Sequence, residues 1–125
     1  MSAFRTPLLT LDDGNGDTVQ LVADLVYHSD LLHHDLCVPT GFITDYASVP
    51  IGLWNLLPKV GKSNRAAIVH DFLYVANGVS RAEADAVFAE AMAVCGVSSW
   101  RRRLMYLGVR AGGWKAWNRY RTEAV

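Results

Sequence analysis

The sequence has no run of about 18 apolar residues, so nothing in it can span a bilayer as a helix. Its start, Met1-Ser2-Ala3-Phe4-Arg5, lacks the apolar core of a signal peptide, and synthesis and residence in the cytoplasm are expected. Cysteine is scarce. Cys37 and Cys95 stand far apart in unrelated contexts, which argues against a disulfide framework and for two free, largely buried thiols. Internal repeats and low-complexity tracts are absent. Net charge is absent too, at +0, which argues against bulk attraction to nucleic acid, and no specific nucleic-acid partner is expected. The zero conceals polarity: residues 1–50 carry −6 and residues 51–125 carry +6.

What is present fits one domain over 1–125, since 125 residues at 51% hydrophobic content can bury a single core without metal or disulfides. Residues 1–44 read as β-rich. Segments 5–11 and 18–28 flank Asp12-Asp13-Gly14-Asn15-Gly16-Asp17, a hairpin signal because Gly and Asn tolerate the positive φ of tight turns. A third extended strand, Asp35 to Thr44, contains Pro39, which places it at an edge or a break in the ladder. Residues 45–62 hold Pro50, Gly52, Pro58 and Gly61 and read as an ordered loop. Its apolar Val49, Ile51, Leu53, Trp54, Leu56 and Leu57 make it a candidate lid or interfacial surface.

Residues 63–121 read as three helices. Ser63 can cap the first, which ends near Ala76 before Asn77-Gly78. Ser80 to Glu83 is a capping box for the second, and Gly96 can close it. The third runs from Ser98 or Ser99 to Tyr120, and Gly108 and Gly112-Gly113 weaken it or permit close packing. The class is α+β, strands first and helices after.

Three carboxylates break the pattern. The Ser63 helix is apolar nearly all round, so His70 and Asp71 in its middle cost several kcal/mol unless paired or ligated. His70 and Tyr74 share a face, while Asp71 lies about 100° round. Asp85 borders the apolar stripe of the next helix and is a natural partner for His70 or Tyr74 if the helices pack across their short link. Asp45, ending an extended segment beside free carbonyls, suits a hard cation such as calcium. Each has a plainer reading: a satisfied core pair, a helix-start charge, a turn carboxylate. His28, His33 and His34 with Asp30 and Asp35 form a weaker candidate metal patch.

Together these segments resemble the phospholipase A2 superfamily, especially its compact bacterial and fungal branch. The matching residues are Thr44-Asp45, Ser48 and Pro50, the His70-Asp71-Phe72-Leu73-Tyr74 hallmark, Asp85, Phe88, Met92 and Cys95, and then Tyr106, Val109-Arg110 and Gly112. The whole chain also resembles an uncharacterised small-domain family common in phage and prophage genomes, through Gly-Phe-x-Thr-Asp-x-Ala-Ser-x-Pro and His-Asp-x-x-Tyr. Ala47 and Ala67 stand where secreted phospholipases carry cysteine, which fits a reducing compartment or a particle interior.

The first resemblance implies a C-terminal three-helix bundle of phospholipase A2-like type and calcium-dependent ester hydrolysis. His70 would be the general base acting on water, oriented by Asp85, with Tyr74 donating to Asp85. Asp71 and Asp45, with carbonyls near Tyr46, would hold calcium. Leu53, Trp54, Leu56 and Leu57 would touch a phospholipid membrane surface, and Arg101, Arg102 and Arg103 its phosphates. The second implies a viral protein in the host cytoplasm or the phage particle. It implies no activity; the rival reading from another class is a phage structural or assembly component, such as a tail or tail-tip subunit, that contacts other virion proteins on a retained hydrolase scaffold. A third reading is hydrolysis of cell-wall or small-molecule substrates.

Overall fold

A computed structural model describes residues 1–12, 18–45, 48–49, 64–76 and 78–123. Its strands are β1 (Ala3–Phe4), β2 (Thr10–Asp12), β3 (Val19–Leu21), β4 (Leu25–Ser29), β5 (His34–Val38) and β6 (Ile43–Thr44). Its helices are α1 (Asn64–Ala76), α2 (Arg81–Val94), α3 (Ser99–Gly112) and α4 (Trp114–Glu123). The class is α+β, with two antiparallel sheets ordered β1-β4-β5 and β2-β3-β6.

The expected hairpin is β2–β3, paired from Thr10 with Leu21 to Asp12 with Val19; its turn, 13–17, lies outside the described residues. The two longer extended segments are each cut in half, and the halves join different sheets. Pro39 brings no amide to the ladder, and Gly41, at φ +91, provides the left-handed position of a turn closed by Phe42 N donating to Pro39 O at 3.1 Å. Asp24, in the other break, accepts from Thr40 N and Oγ1, both at 2.7 Å. That clamp holds the two breaks side by side, so both chains change sheet at one level.

α1 is the centre of the core, with Ala66, Ala67, Ile68, Val69, Leu73 and Tyr74 buried alongside His70 and Asp71. Around it pack Leu21, Leu25 and Tyr27 from the sheets, Val87, Phe88 and Met92 from α2, and Met105 and Val109 from α3. The Ser80–Glu83 capping box is formed, and α2 ends in a Schellman motif: Val97 N donates to Met92 O, Gly96 N to Ala93 O, with Gly96 at φ +85. Expectations for the loop through residue 62, apart from Asp45, Ser48 and Val49, and for the Ser63 cap and Asn77 lie outside the described residues. Cys37 and Cys95 are both free; Cys95 is buried, but Cys37 is exposed because it takes the outward register of β5 between inward Leu36 and Val38.

The helical part has four helices, not three: the helix expected to reach Tyr120 breaks at Gly113. Gly113 presses against the Tyr74 ring, and a Cβ there would collide with Tyr74 Oη. The Arg81 guanidinium meanwhile takes Val109 O at 3.0 Å and Arg110 O at 3.1 Å, capping the carbonyls that end α3. Gly113→Ala should therefore destabilise the fold by about 1–3 kcal/mol through overpacking. Urea denaturation checks this, and an unchanged midpoint would show that the close approach is not a constraint.

No helix among the described residues is long and apolar enough to cross a membrane.

Candidate functional site

His70 is fully buried on α1, its ring between Tyr74 and Phe88 at centroid distances of 4.4 and 4.5 Å. Its Nε2 lies 2.7 Å from Asp85 Oδ1. Tyr74 Oη donates to the same oxygen at 2.6 Å, and Arg110 Nη1 donates to Oδ2 at 2.8 Å. Arg81, one turn before Asp85, stands 3.5 Å from Oδ2. Burial works against ionisation of Asp85, but the hydrogen bonds from His70, Tyr74 and Arg110 outweigh it and hold the carboxyl below its usual range. The Tyr74 phenol is pushed well up, by burial first and then by Asp85, so it remains a donor.

An ionised carboxylate only accepts, so the geometry places the His70 proton on Nε2. In the neutral ring Nδ1 is then the acceptor, and it lies 3.0 Å from Ser48 Oγ. Ser48 also links the two acidic groups of the site, because its amide donates to Asp71 Oδ1 at 3.3 Å. Asp71 accepts in addition from Thr44 Oγ1 at 2.6 Å and Tyr120 Oη at 3.0 Å. The Tyr120 phenol is raised by burial and by the charges of Asp71 and Asp45.

Asp45 follows β6, is exposed, and lines with Asp71, Ile43, Arg119 and Tyr120 a cavity of about 350 Å³. Two carboxylates thus meet at that cavity, but three donors already occupy most of Asp71's lone pairs. Among the described residues no group of three or more His, Cys, Asp or Glu side chains could hold a metal ion. Asp45 and Asp71, the two carboxylates expected to hold calcium, line one cavity, while the Tyr46 carbonyls expected to complete the set lie outside the described residues. In the second candidate patch, His28 spends Nδ1 on Asp35 at 2.8 Å and faces Asp30 through Nε2 at 3.3 Å.

Tyr46, Leu53, Trp54, Leu56 and Leu57 lie outside the described residues. Arg101, Arg102 and Arg103 lie on α3, and no bond joins them to His70 or Asp85. Arg102 donates to Val97 O at 3.1 Å and Arg101 stacks over Trp100. The arginines that reach Asp85 are Arg110 and Arg81. Thr44, Ser48, Arg81, Arg110 and Tyr120 have no role assigned from sequence. Only Arg81 carries a local signal, its spacing of four from Asp85 on one helix; the others arrive from distant segments.

The Asp85 environment has a pH signature. Its folded pKa is below the unfolded value of about 3.9. The stability it contributes is fully present above the unfolded value and is lost as pH falls through the folded one. The unfolding free energy should therefore drop more steeply below about pH 4 in the wild type than in Asp85→Asn. Parallel acid limbs would show that Asp85 is not held ionised by its neighbours.

Comparison with protein families matches residues 19–109 to the family described as Protein of unknown function (DUF1353). The chain belongs to the DUF1353 family. The DUF1353 match takes in Thr44, Ser48, His70, Asp71, Tyr74 and Asp85, and it stops one residue before Arg110. Comparison with curated proteins and with solved structures found no match in either.

Proposed function

We propose that this DUF1353 chain is a hydrolase of phospholipase A2-like type, acting on phospholipid esters with His70 as general base. The observation that carries this reading is the convergence of His70 Nε2 and Tyr74 Oη on one Asp85 oxygen, with Nδ1 3.0 Å from Ser48 Oγ. Asp85 fixes the tautomer and stabilises the imidazolium as Nδ1 takes a proton from the attacking water. Tyr74 and Arg110 keep Asp85 charged and in place. Ser48 Oγ fills the Nδ1 lone pair, so water takes its position when that hydroxyl turns aside. Asp71, which accepts from the Ser48 amide beside His70, lines with Asp45 the cavity that would take substrate.

Hydrolysis of mixed phospholipid vesicles and soluble esters by the full chain, with calcium and with a chelator, tests this reading. Activity supports it, and the chelator arm reads the part played by calcium. No activity on any substrate overturns it.

A second reading is a phage structural or assembly component, located in the particle or host cytoplasm and contacting other virion proteins. The observation favouring it is that both ring nitrogens of a fully buried His70 already have partners, as in a satisfied core pair. Normal particle assembly by a His70→Gln variant of an inactive wild type would support it.

A further inference from the structure

α3 is amphipathic with its apolar side turned the wrong way. Met105 and Val109 are its buried residues, while Trp100, Leu104 and Leu107 are 44–56% exposed. With Ala111, also exposed, they recur at intervals of four, three and four. At about 100° per residue that spacing confines them to an arc of about 60°. Trp114, just past the Gly113 break, extends the exposed apolar surface onto α4. Arg101, Arg103 and Lys115 flank it, all exposed; Arg101 lies over the Trp100 ring at 5.2 Å and Lys115 over Trp114 at 5.7 Å. An uncovered apolar stripe with cationic borders is a contact surface for something apolar with an anionic rim.

The same chain carries a surface of that chemistry. In the β2-β3-β6 sheet, Leu11 pairs with Gln20 and Gln20 with Ile43, which places the three in one row. Leu9 and Val22 form the next row, joined by Val22 N donating to Leu9 O at 3.0 Å. Positions two apart share a face, and here Leu9, Leu11, Val22 and Ile43 are 49–61% exposed. The described segments around this face carry Asp24 and Asp45, and the sequence has no Lys or Arg between Arg5 and Lys59. At Ile43 the face meets the cavity that Asp45 and Arg119 line. Asp24 and Asp45 at this face come from the −6 half of the sequence, and Arg101, Arg103 and Lys115 beside the α3 stripe from the +6 half.

We propose that the α3 stripe of one copy docks on the exposed β2-β3-β6 face of another, a head-to-tail contact between copies of this chain. Stripe against stripe is disfavoured, because it would set Arg101 and Arg103 against their own copies. Pairing unlike faces buries apolar area and matches charge, and it leaves each pair with one unused surface of each kind, so the contact propagates into a ring or a filament. This goes beyond the chemistry proposed at His70 and does not depend on it.

The test is the solution mass of the full chain by light scattering across a concentration series. Wild type should rise above the single-chain 13.8 kDa. Leu107→Asp, which breaks the stripe, and Leu11→Asp, which breaks the sheet face, should each stay at one chain. Both positions are exposed, and unchanged circular-dichroism melting confirms that folding is intact. Mixed in equal amounts, the two variants should recover a two-chain species and stop there, since each retains the face the other has lost. A wild type of single-chain mass at every concentration would overturn the proposal. So would a mixture that stays at one chain, or a single-chain protein that sediments with phosphatidylglycerol vesicles through Leu107, which would give the stripe to lipid.

Discussion

His70→Gln should lower ester hydrolysis by roughly 10²- to 10⁴-fold, the usual contribution of a positioned base. Glutamine is close to the imidazole in reach and offers one donor and one acceptor end, so it can still give a hydrogen bond to Asp85 and receive one from Ser48. It cannot take up a proton near neutral pH. The loss should fall on kcat, because nothing in the cavity lining of Asp45, Asp71 and Arg119 is altered. Activity within a few-fold of wild type would remove His70 from the chemistry while leaving it in the core. An equal fall in thermal stability and activity would mean that the variant reports folding alone.

Asp85→Ala should be the most destabilising single change at the site, by about 3–5 kcal/mol, as when one partner of a buried ion pair is removed. The side chain is fully buried, and its two oxygens accept from His70, Tyr74 and Arg110. Truncation leaves a buried imidazole N–H and a buried phenol without an acceptor, in a space too apolar to supply replacements. Arg110 suffers less, because a third of its side chain reaches solvent. Urea denaturation of the variant beside Tyr74→Phe separates the contributions. Tyr74→Phe deletes one donor to an acceptor that keeps two others, and should cost about 0.5–1.5 kcal/mol. A cost of under about 1 kcal/mol for Asp85→Ala would mean that the carboxylate is solvated and the network incidental.

Helix boundaries were legible in sequence wherever the signal was local. The Ser80–Glu83 box and the Gly96 cap each depend on neighbours within a few residues. Gly112-Gly113 was legible as a weak or closely packed point of the last helix, but its partner was not, because Tyr74 reaches Gly113 from another helix. The strand segments were legible as extended, but their division between two sheets depends on Asp24 reaching Thr40, sixteen residues away. At the site, His70 and Asp85 stood out as polar groups on apolar helical faces, and the short α1–α2 link brought them together. Thr44, Ser48 and Arg110 stood out only through the phospholipase A2 resemblance, with no role attached, and Tyr120 only as the end of a helix. What gives them their place is the cost of burying His70, Asp71 and Asp85, which recruits donors from wherever the fold brings them near.

The most direct measurement of the central claim, that Asp85 holds His70 as a base with Nδ1 free to accept, is the nitrogen-15 spectrum of the His70 ring in the intact protein at neutral pH. The expected result is a protonated Nε2, with its proton slow to exchange and coupled to the Asp85 carboxylate, and an unprotonated Nδ1. In Asp85→Asn that preference should weaken or invert. A wild-type ring protonated at Nδ1 and donating to Ser48 would contradict the claim and leave His70 a structural residue.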